Sequence, residues 1–357
     1  MKKLLTLSVG FLLSINFAHS QGCIMVRNIS GFGQYNVTDK SFSTEKWLIN
    51  INSRYFRSHR DFKGTTDINT PPENRNTINS FSMDFGLTRL FDNGWSVSFS
   101  LPISANARTT NGEHGGPNTP RHTVRSFGLG DIRFSAYKWL LKPNQKGNIQ
   151  AGLGIKLATG DYKYQGYYYR NDTTRVLVPV SLPIQLGDGG TGITTEVNTY
   201  YMINKTISLY GNFYYLINPR EVTGVSTMLG FTPSPLELKI GTEVSSVPDQ
   251  YSIRAGMYFN YDKLILSAGL RDEGIPVYDL FGGSNGFRRA GHNLSFEPGI
   301  SYKMKNVTFY AFVPILVVHK ITQNVPDKLA TKITGVYTTS VGGSGNYFVF
   351  VGAQFKL

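Results

Sequence analysis

Asn346-Tyr-Phe-Val-Phe-Val-Gly-Ala-Gln-Phe-Lys-Leu357 closes the chain, and its residues alternate strictly. Tyr347, Val349, Val351, Ala353, Phe355 and Leu357 fall on one face of an extended strand, and Phe348, Phe350, Gly352, Gln354 and Lys356 on the other. Hydrocarbon offers no water to backbone N–H and C=O groups, so a sheet crosses a bilayer only when it closes and leaves no edge. A terminal strand of this kind is expected to pair with the first strand and seal a transmembrane antiparallel β-barrel, an all-β fold.

Working back from that end, the same alternation recurs about twelve times, each time over roughly the ten residues that a tilted strand needs to cross an outer membrane. Lys46 to Phe56 sets Trp47, Ile49, Ile51 and Tyr55 against Asn50, Asn52 and Arg54. Phe81, Met83, Phe85 and Leu87 mark a second strand, and Trp95, Val97, Phe99, Leu101 and Ile103 alternate with serines in a third. Between those two sits Asp92-Asn93-Gly94, whose Asn-Gly is a tight-turn signal. Further pairs follow: 127–141 with 148–160, 192–202 with 207–217, 251–261 with 264–271, and 293–302 with 307–318. Their links, at Lys142-Pro143-Asn144, Asn204-Lys205, Asp262-Lys263 and Lys305-Asn306, are short. The connections 57–79, 104–126, 161–191, 218–250, 272–291 and 319–345 are long, polar and rich in Gly, Pro or Tyr.

That alternation of short and long links orients the barrel, with short periplasmic turns, long extracellular loops and both chain ends in the periplasm. Twelve strands are expected, or fourteen if Glu237–Ser245 and Lys332–Val341 also cross. A soluble β-sandwich also shows period two, but its outer faces carry ordinary charge. Here the second face is dominated by Gly, Ser, Asn and Thr with single charges, as a crowded, wet lumen requires. Pro102, Pro298 and Pro314 each fall inside a predicted strand, where they remove a ladder donor and mark a bulge or a gap.

At the other end, Lys2 and Lys3, the apolar run Leu4–Phe17 and the small residues Ala18-His19-Ser20 read as a secretory signal peptide over residues 1–20, cut before Gln21. Residues 21–45 form an N-terminal periplasmic or lumen-associated segment, and 46–357 the barrel. Lipoprotein processing at Cys23 is a rival, although no Leu stands three residues before it. The lone cysteine excludes an internal disulfide framework. Beyond the signal no run of eighteen apolar residues occurs, and mean hydropathy is -0.19, so helical spans are excluded. The 21 Tyr, 23 Phe and 38 Gly suit twisted strands with aromatic girdles. Formal net charge is +13, or +11 without Lys2 and Lys3, with clusters at 54–63, 121–125 and Arg288-Arg289. Outer-membrane lipid and lipopolysaccharide phosphate, or an acidic solute, fit such a surface better than nucleic acid.

With apolar faces toward lipid, the opposite parity lines the lumen with Arg54, Asp84, Asp131, Arg133, Lys156, Glu196, Arg254, Arg271 and Glu297. One reading is that these charges pair and fill a narrow barrel. The other is that they form a constriction that orients polar or charged solutes. The loop tyrosines Tyr162, Tyr164, Tyr167, Tyr168 and Tyr169 are expected at the outer interface as anchors, or else as a stacking platform for a solute. Catalytic signals are poor. A lipid-cleaving barrel needs Ser and His on the lipid-facing wall, yet only His319 lies near a strand, at its outer end. His59, His122 and His292 sit in loops or rims without metal-ligand spacing. Gly187-Asp188-Gly189-Gly190 lacks the Lys-Ser/Thr of a phosphate loop and reads as a flexible or turn-forming piece. The expectation is a protein that is not an enzyme, with no catalytic residue, metal or cofactor.

Gly128-Leu129-Gly130-Asp131 and Lys156-Leu157-Ala158-Thr159-Gly160-Asp161 carry a resemblance. The chain is similar there to the outer-membrane barrels grouped as the "MetA-pathway of phenol degradation" family, related in style to hydrophobic-compound channels. In that family a strand opening Gly-Leu-Gly-Asp pairs with one ending Leu-Pro-Thr-Gly-Asp; Ala158 stands at the proline's place. The match spans residues 80 to 357, and the signal peptide with Gln21 at the mature end resembles those of Bacteroidetes. What the resemblance implies is a transporter-like barrel, not phenol as its solute. The expected function is an outer-membrane channel for passive uptake of small solutes of unknown identity. The alternative is a non-conducting barrel that serves as scaffold or subunit of a surface assembly, and a lipid-acting enzyme ranks third.

Overall fold

The structure, a computed structural model, describes residues 22–23, 46–111, 119–142 and 145–357. The expected signal peptide and nearly all of the 21–45 segment lie outside the described residues. Gly22–Cys23 are described, and run parallel to Gly342-Gly343 within the loops.

Alternating apolar and small polar residues leave each strand one face for lipid and one for the interior, and ring closure follows. The strands are β1 (Trp47–Ser58), β2 (Thr77–Leu90), β3 (Trp95–Thr110), β4 in two segments (His122–Leu129 and Arg133–Trp139), β5 (Gly147–Lys156) and β6 (Gly192–Met202). They continue as β7 (Ile207–Ile217), β8 (Gln250–Tyr261), β9 (Leu264–Ile275), β10 (Gly291–Lys303), β11 in two segments (Val307–Phe312 and Ile315–Ile321) and β12 (Phe348–Lys356). Each pairs antiparallel with its neighbours, and β12 pairs with both β11 and β1, from Leu48↔Lys356 to Phe56↔Phe348. The seam is tied by Leu357 N–H to the Trp47 carbonyl at 2.9 Å and Trp47 N–H to the Leu357 carbonyl at 3.2 Å. The barrel is therefore closed, with twelve strands.

Parity follows the pleat. In β1 the residues Asn50, Asn52, Arg54 and Phe56 are buried, while Trp47 and Tyr55 face out. Elsewhere the outer wall exposes Leu153, Phe213, Leu270, Phe309, Val317 and Val351. Short turns lie at one end; at Asp92-Asn93-Gly94 the chain reverses with Gly94 at φ 79° and Phe91 N–H bonded to the Trp95 carbonyl at 2.9 Å.

The two optional strands do not cross. Pro235–Ile240 forms helix α1 and Val325–Thr334 helix α2, each opened by a capping box, Ser234 with Glu237 and Asn324 with Asp327, and closed by a left-handed glycine, Gly241 and Gly335. Those caps outweigh the local alternation. Val244–Ser246 pairs with Val222–Ser226, and Val341–Ser344 with Arg60–Lys63, all within the extracellular loops.

At the prolines the ladder bends and continues. Gly130 N–H bonds to the Pro102 carbonyl at 2.8 Å, where β4 breaks between its segments. Val313 N–H bonds to the Pro298 carbonyl and Phe348 N–H to the Pro314 carbonyl, both at 3.0 Å, where β11 breaks. Each proline thus lacks its donor but keeps its acceptor in use.

Candidate functional site

The two short motifs meet at the mouth of the barrel. Asp131 stands at the break in β4, and its carboxylate accepts from Gly160 N–H at 3.0 Å and Asp188 N–H at 3.2 Å. Lys156, the last residue of β5, reaches Asp188 Oδ1 at 2.5 Å and Asp131 Oδ2 at 3.4 Å, and donates to the Gly190 carbonyl. Thr159 Oγ1 accepts from Ile132 N–H and donates to the Gly130 carbonyl, both at 2.9 Å. Three chain segments crowd together here: a Cβ at Gly187 would lie 2.6 Å from Asp131 Oδ1, and one at Gly160 2.7 Å from the Leu186 carbonyl.

The result is an extracellular loop folded inward. Residues 183–190 are buried, including the Gly187-Asp188-Gly189-Gly190 stretch that reads in the sequence as a flexible piece. The Asp188 carboxylate and Gly190 carbonyl are held by the buried Lys156 ammonium and the Gly189 carbonyl by Arg220, which removes the freedom that glycines otherwise confer. Among the described residues the upper segment of β4 pairs only with β3, because β5 ends opposite Arg133. Its other side is covered by the hairpin Gln165–Tyr169 with Arg175–Pro179, through a cluster of Ile78, Val124, Tyr168, Val180, Ile184 and Leu229.

Beneath this inserted loop lies a cavity of about 40 Å³, room for a few waters. Arg54, Asp131, Arg133 and Lys156 all line it, together with Ser82 and Gln185. Asp84 sits beside it and accepts from Ser100 Oγ at 2.7 and 2.8 Å.

A second group lies on β8, β9 and β10. Arg254 gives Nε and Nη2 to Glu297 Oε1 at 2.8 and 2.5 Å, and Arg271 Nη1 stands 3.4 Å from Glu297 Oε2. Arg271 also bonds Glu273, from Nε at 2.9 Å and from Nη2 at 2.8 Å. The guanidiniums lie over aromatic rings, Arg254 over Tyr210 and Phe312 at 5.8 and 5.5 Å, and Arg271 over Phe350 at 5.1 Å. Glu196 is apart from both groups and accepts from Tyr137 Oη at 3.1 Å. All nine charges singled out in the sequence are buried and inward-facing, in two clusters plus Glu196.

Sequence reasoning missed Glu273, Asp188, and the fully buried Arg108. Glu273 follows Arg271 at the same parity and was reachable by extending β9; Asp188 lies in a loop and carried no such signal. The tyrosine cluster divides. Tyr168 is buried and its hydroxyl accepts from Ser181 N–H at 3.0 Å, so it is a core residue of the loops and not an interfacial anchor. Tyr167 is exposed, and Arg175 covers it at 5.3 Å.

His319 is buried on the inner face with Nδ1 against Asn293 Oδ1, so it does not face lipid. His292 pairs with Asp272 at 2.8 Å on the outward side. Among the described residues no three His, Cys, Asp or Glu side chains are grouped to hold a metal. In the loops, Arg288 makes two bonds of 2.6 Å to Asp279 with both side chains fully buried. Burial pushes the Asp249 and Asp327 carboxyls above the usual carboxylate range, against the hydrogen bonds they accept from Asn218 and Leu280 N–H and from Ser340 and Asn324 N–H.

No protein-family model matches this chain, and no curated protein matches it either. Among solved structures, an outer membrane channel from Pseudomonas putida F1 superposes with a TM-score of 0.57 at 9% identity, over 90% of this chain and 99% of that one. A FadL homologue of Pseudomonas aeruginosa gives 0.44 at 10% identity, over 88% and 91% of the two chains. The translocator domain of the autotransporter NalP from Neisseria meningitidis gives 0.45 at 10% identity, over 88% and 90%. The last two lie below a TM-score of 0.5 and carry no weight. The closed ring, the apolar outer wall and the first of these likenesses agree: the chain folds as an outer-membrane β-barrel.

Proposed function

We propose that this barrel is a channel for passive uptake of small solutes, gated at its outer mouth by the inward-folded 157–191 loop. The observation that carries the reading is the cavity under residues 183–188, lined by hydroxyl, amide and charged side chains and roofed by a segment that Lys156, Asp131 and Ser126 tie to the wall. The nine buried charges are the lumen lining, and their mixed, largely paired signs orient polar solutes with little preference for either ionic sign. The motif resemblance at 128–131 and 156–161 to a transporter-like family of Bacteroidetes type supports the same reading, without naming a solute. Lipopolysaccharide is the neighbour that the basic rim fits.

A second reading is a non-conducting barrel acting as scaffold. It is favoured by the depth of burial on the inner face, where Lys156 is 1% and Glu297 0% exposed, and by apolar side chains on the loops, Leu329, Ile333, Val336 and Tyr337, that are open to solvent. Single-channel recording of the refolded barrel in planar bilayers decides between them. Steady steps whose ion selectivity changes in Arg133→Ala and Arg254→Ala are expected of the channel. A folded barrel that gives no steps at any voltage refutes it and leaves the scaffold.

A further inference from the structure

The lining of the mouth cavity is not that of a site for hydrocarbons. Ser80, Ser82, Ser104, Asn106, Gln185 and Gln250 line it with hydroxyl and amide groups beside the charged Arg54, Asp131, Arg133, Lys156 and Asp188, and Pro102, Pro183, Leu186 and Leu216 add apolar surface. Two of these polar atoms are buried and have no hydrogen-bond partner: Ser82 Oγ, in a residue 8% exposed, and Gln185 Oε1, in a residue 3% exposed. Gln185 holds its amide in place by donating Nε2 to the Val180 carbonyl at 3.0 Å, which leaves Oε1 fixed and aimed away from that bond. A donor is needed for Gln185 Oε1, and either a donor or an acceptor for Ser82 Oγ. A solute hydroxyl, which both donates and accepts, supplies either.

We propose that this cavity is the entry subsite for a small hydroxyl-rich solute of the sugar or polyol class. This deepens the channel reading above and rests on it. Hydroxyl groups, each both donor and acceptor, satisfy Ser82 Oγ and Gln185 Oε1 whatever the exact rotamers. The C–H face of a sugar ring meets Pro102, Pro183 and Leu216. An apolar aromatic solute in the same place leaves Ser82 and Gln185 unpaired, at a cost on the order of tenfold in affinity per group. The closed cavity, of about 40 Å³, is too small for a sugar ring, so the solute enters as residues 183–188 withdraw and Lys156 releases Asp188. Gln185 lies on that roof and Ser82 on β2 of the wall, so the solute bridges roof and wall.

The experiment is potassium chloride current through the refolded barrel, titrated with D-glucose and separately with toluene. Glucose is expected to reduce the current saturably and toluene to leave it unchanged. Ser82→Ala and Gln185→Leu are each expected to raise the half-blocking glucose concentration about tenfold. Steps that toluene blocks and glucose does not overturn the inference while the channel reading stands. If a folded barrel gives no steps, the channel reading fails separately, and thermal unfolding of the detergent-solubilised barrel reads binding directly. A melting temperature raised by glucose in the parent and not in Gln185→Leu supports the subsite. The absence of any rise overturns it.

Discussion

Glu297→Gln tests whether the charges on β8 to β10 form a dry, mutually dependent set. Glu297 is fully buried, shares Oε1 between two nitrogens of Arg254 and offers Oε2 to Arg271. Glutamine keeps the size and one acceptor oxygen but removes the negative charge that two guanidiniums face. Breaking a buried ion pair on one side costs about 3–5 kcal/mol. Arg271 keeps Glu273 at 2.8 Å, so the lower end, about 3 kcal/mol, is expected. The companion variant Arg254→Met with Glu297→Leu removes both members and is expected to recover about 2 kcal/mol of that loss. Reversible urea unfolding in lipid vesicles, followed by fluorescence of Trp47, Trp95 and Trp139, reads both effects. A single variant within about 0.5 kcal/mol of the parent, the range of ordinary surface substitutions, refutes the reasoning. So does a double variant that is less stable than the single one. Either result means that water, and not protein, solvates these groups.

Lys156→Met leaves Asp131 and Asp188 facing one another without their shared ammonium, so the inserted loop is expected to detach; open-channel time rises and proteases cut within 163–182 faster, while unchanged gating and cutting refute the latch. Gly352→Val places a side chain where a Cβ alone lies 2.3 Å from Tyr310 Oη, which is expected to destabilise the barrel by about 1–3 kcal/mol, with Tyr310→Ala restoring part of it in the double variant. Asp327 has its folded pKa raised by burial, so its contribution to loop stability is full below its unfolded value of 3.8 and is lost as pH rises through the folded value. Hydrogen exchange across α2, corrected for intrinsic rate, is expected to be slower near pH 4 than near pH 7, and Asp327→Asn to remove that difference; equal protection at both pH values in the parent counts against it.

Strand parity was legible because the side-chain period is two, so every residue of a strand is assigned to a face once one is. The charges on β1, β2, β4, β5, β6, β8, β9 and β10 therefore fall on the inner face together. The seam from β12 to β1 was legible for the same reason. The loops were not. Lys156 and Asp188 are 32 residues apart, and their contact depends on a path that no periodicity encodes. Glu237–Ser245 alternates well enough to pass for a strand, yet Ser234 three residues ahead of Glu237 satisfies the first turn of a helix, and the cap prevails. The consecutive tyrosines 167–169 form part of a hairpin, where alternation sends Tyr168 inward and its two neighbours outward, so a run of one residue type serves two roles.

The pairing of the lumen charges also constrains what selectivity they confer. Arg254 and Arg271 meet Glu297 and Glu273 on one wall, while Lys156 meets Asp131 and Asp188 on the other. A paired set has a short-ranged field, because opposite charges a few ångströms apart cancel within a few times their separation. The native lumen is accordingly expected to discriminate weakly between cations and anions, and to sort solutes by hydrogen bonding and size at the mouth. Removing one charge changes this more than its share of the total suggests, since the partner is left uncompensated. Arg254→Ala exposes Glu297 and shifts selectivity toward cations; Glu297→Gln, if the barrel persists, shifts it toward anions. Reversal potentials in a potassium chloride gradient that move in opposite directions for these two variants establish that the set faces the conduction path. Identical potentials in parent and variants mean that ions pass elsewhere in the lumen, and that this network serves only to fill the barrel.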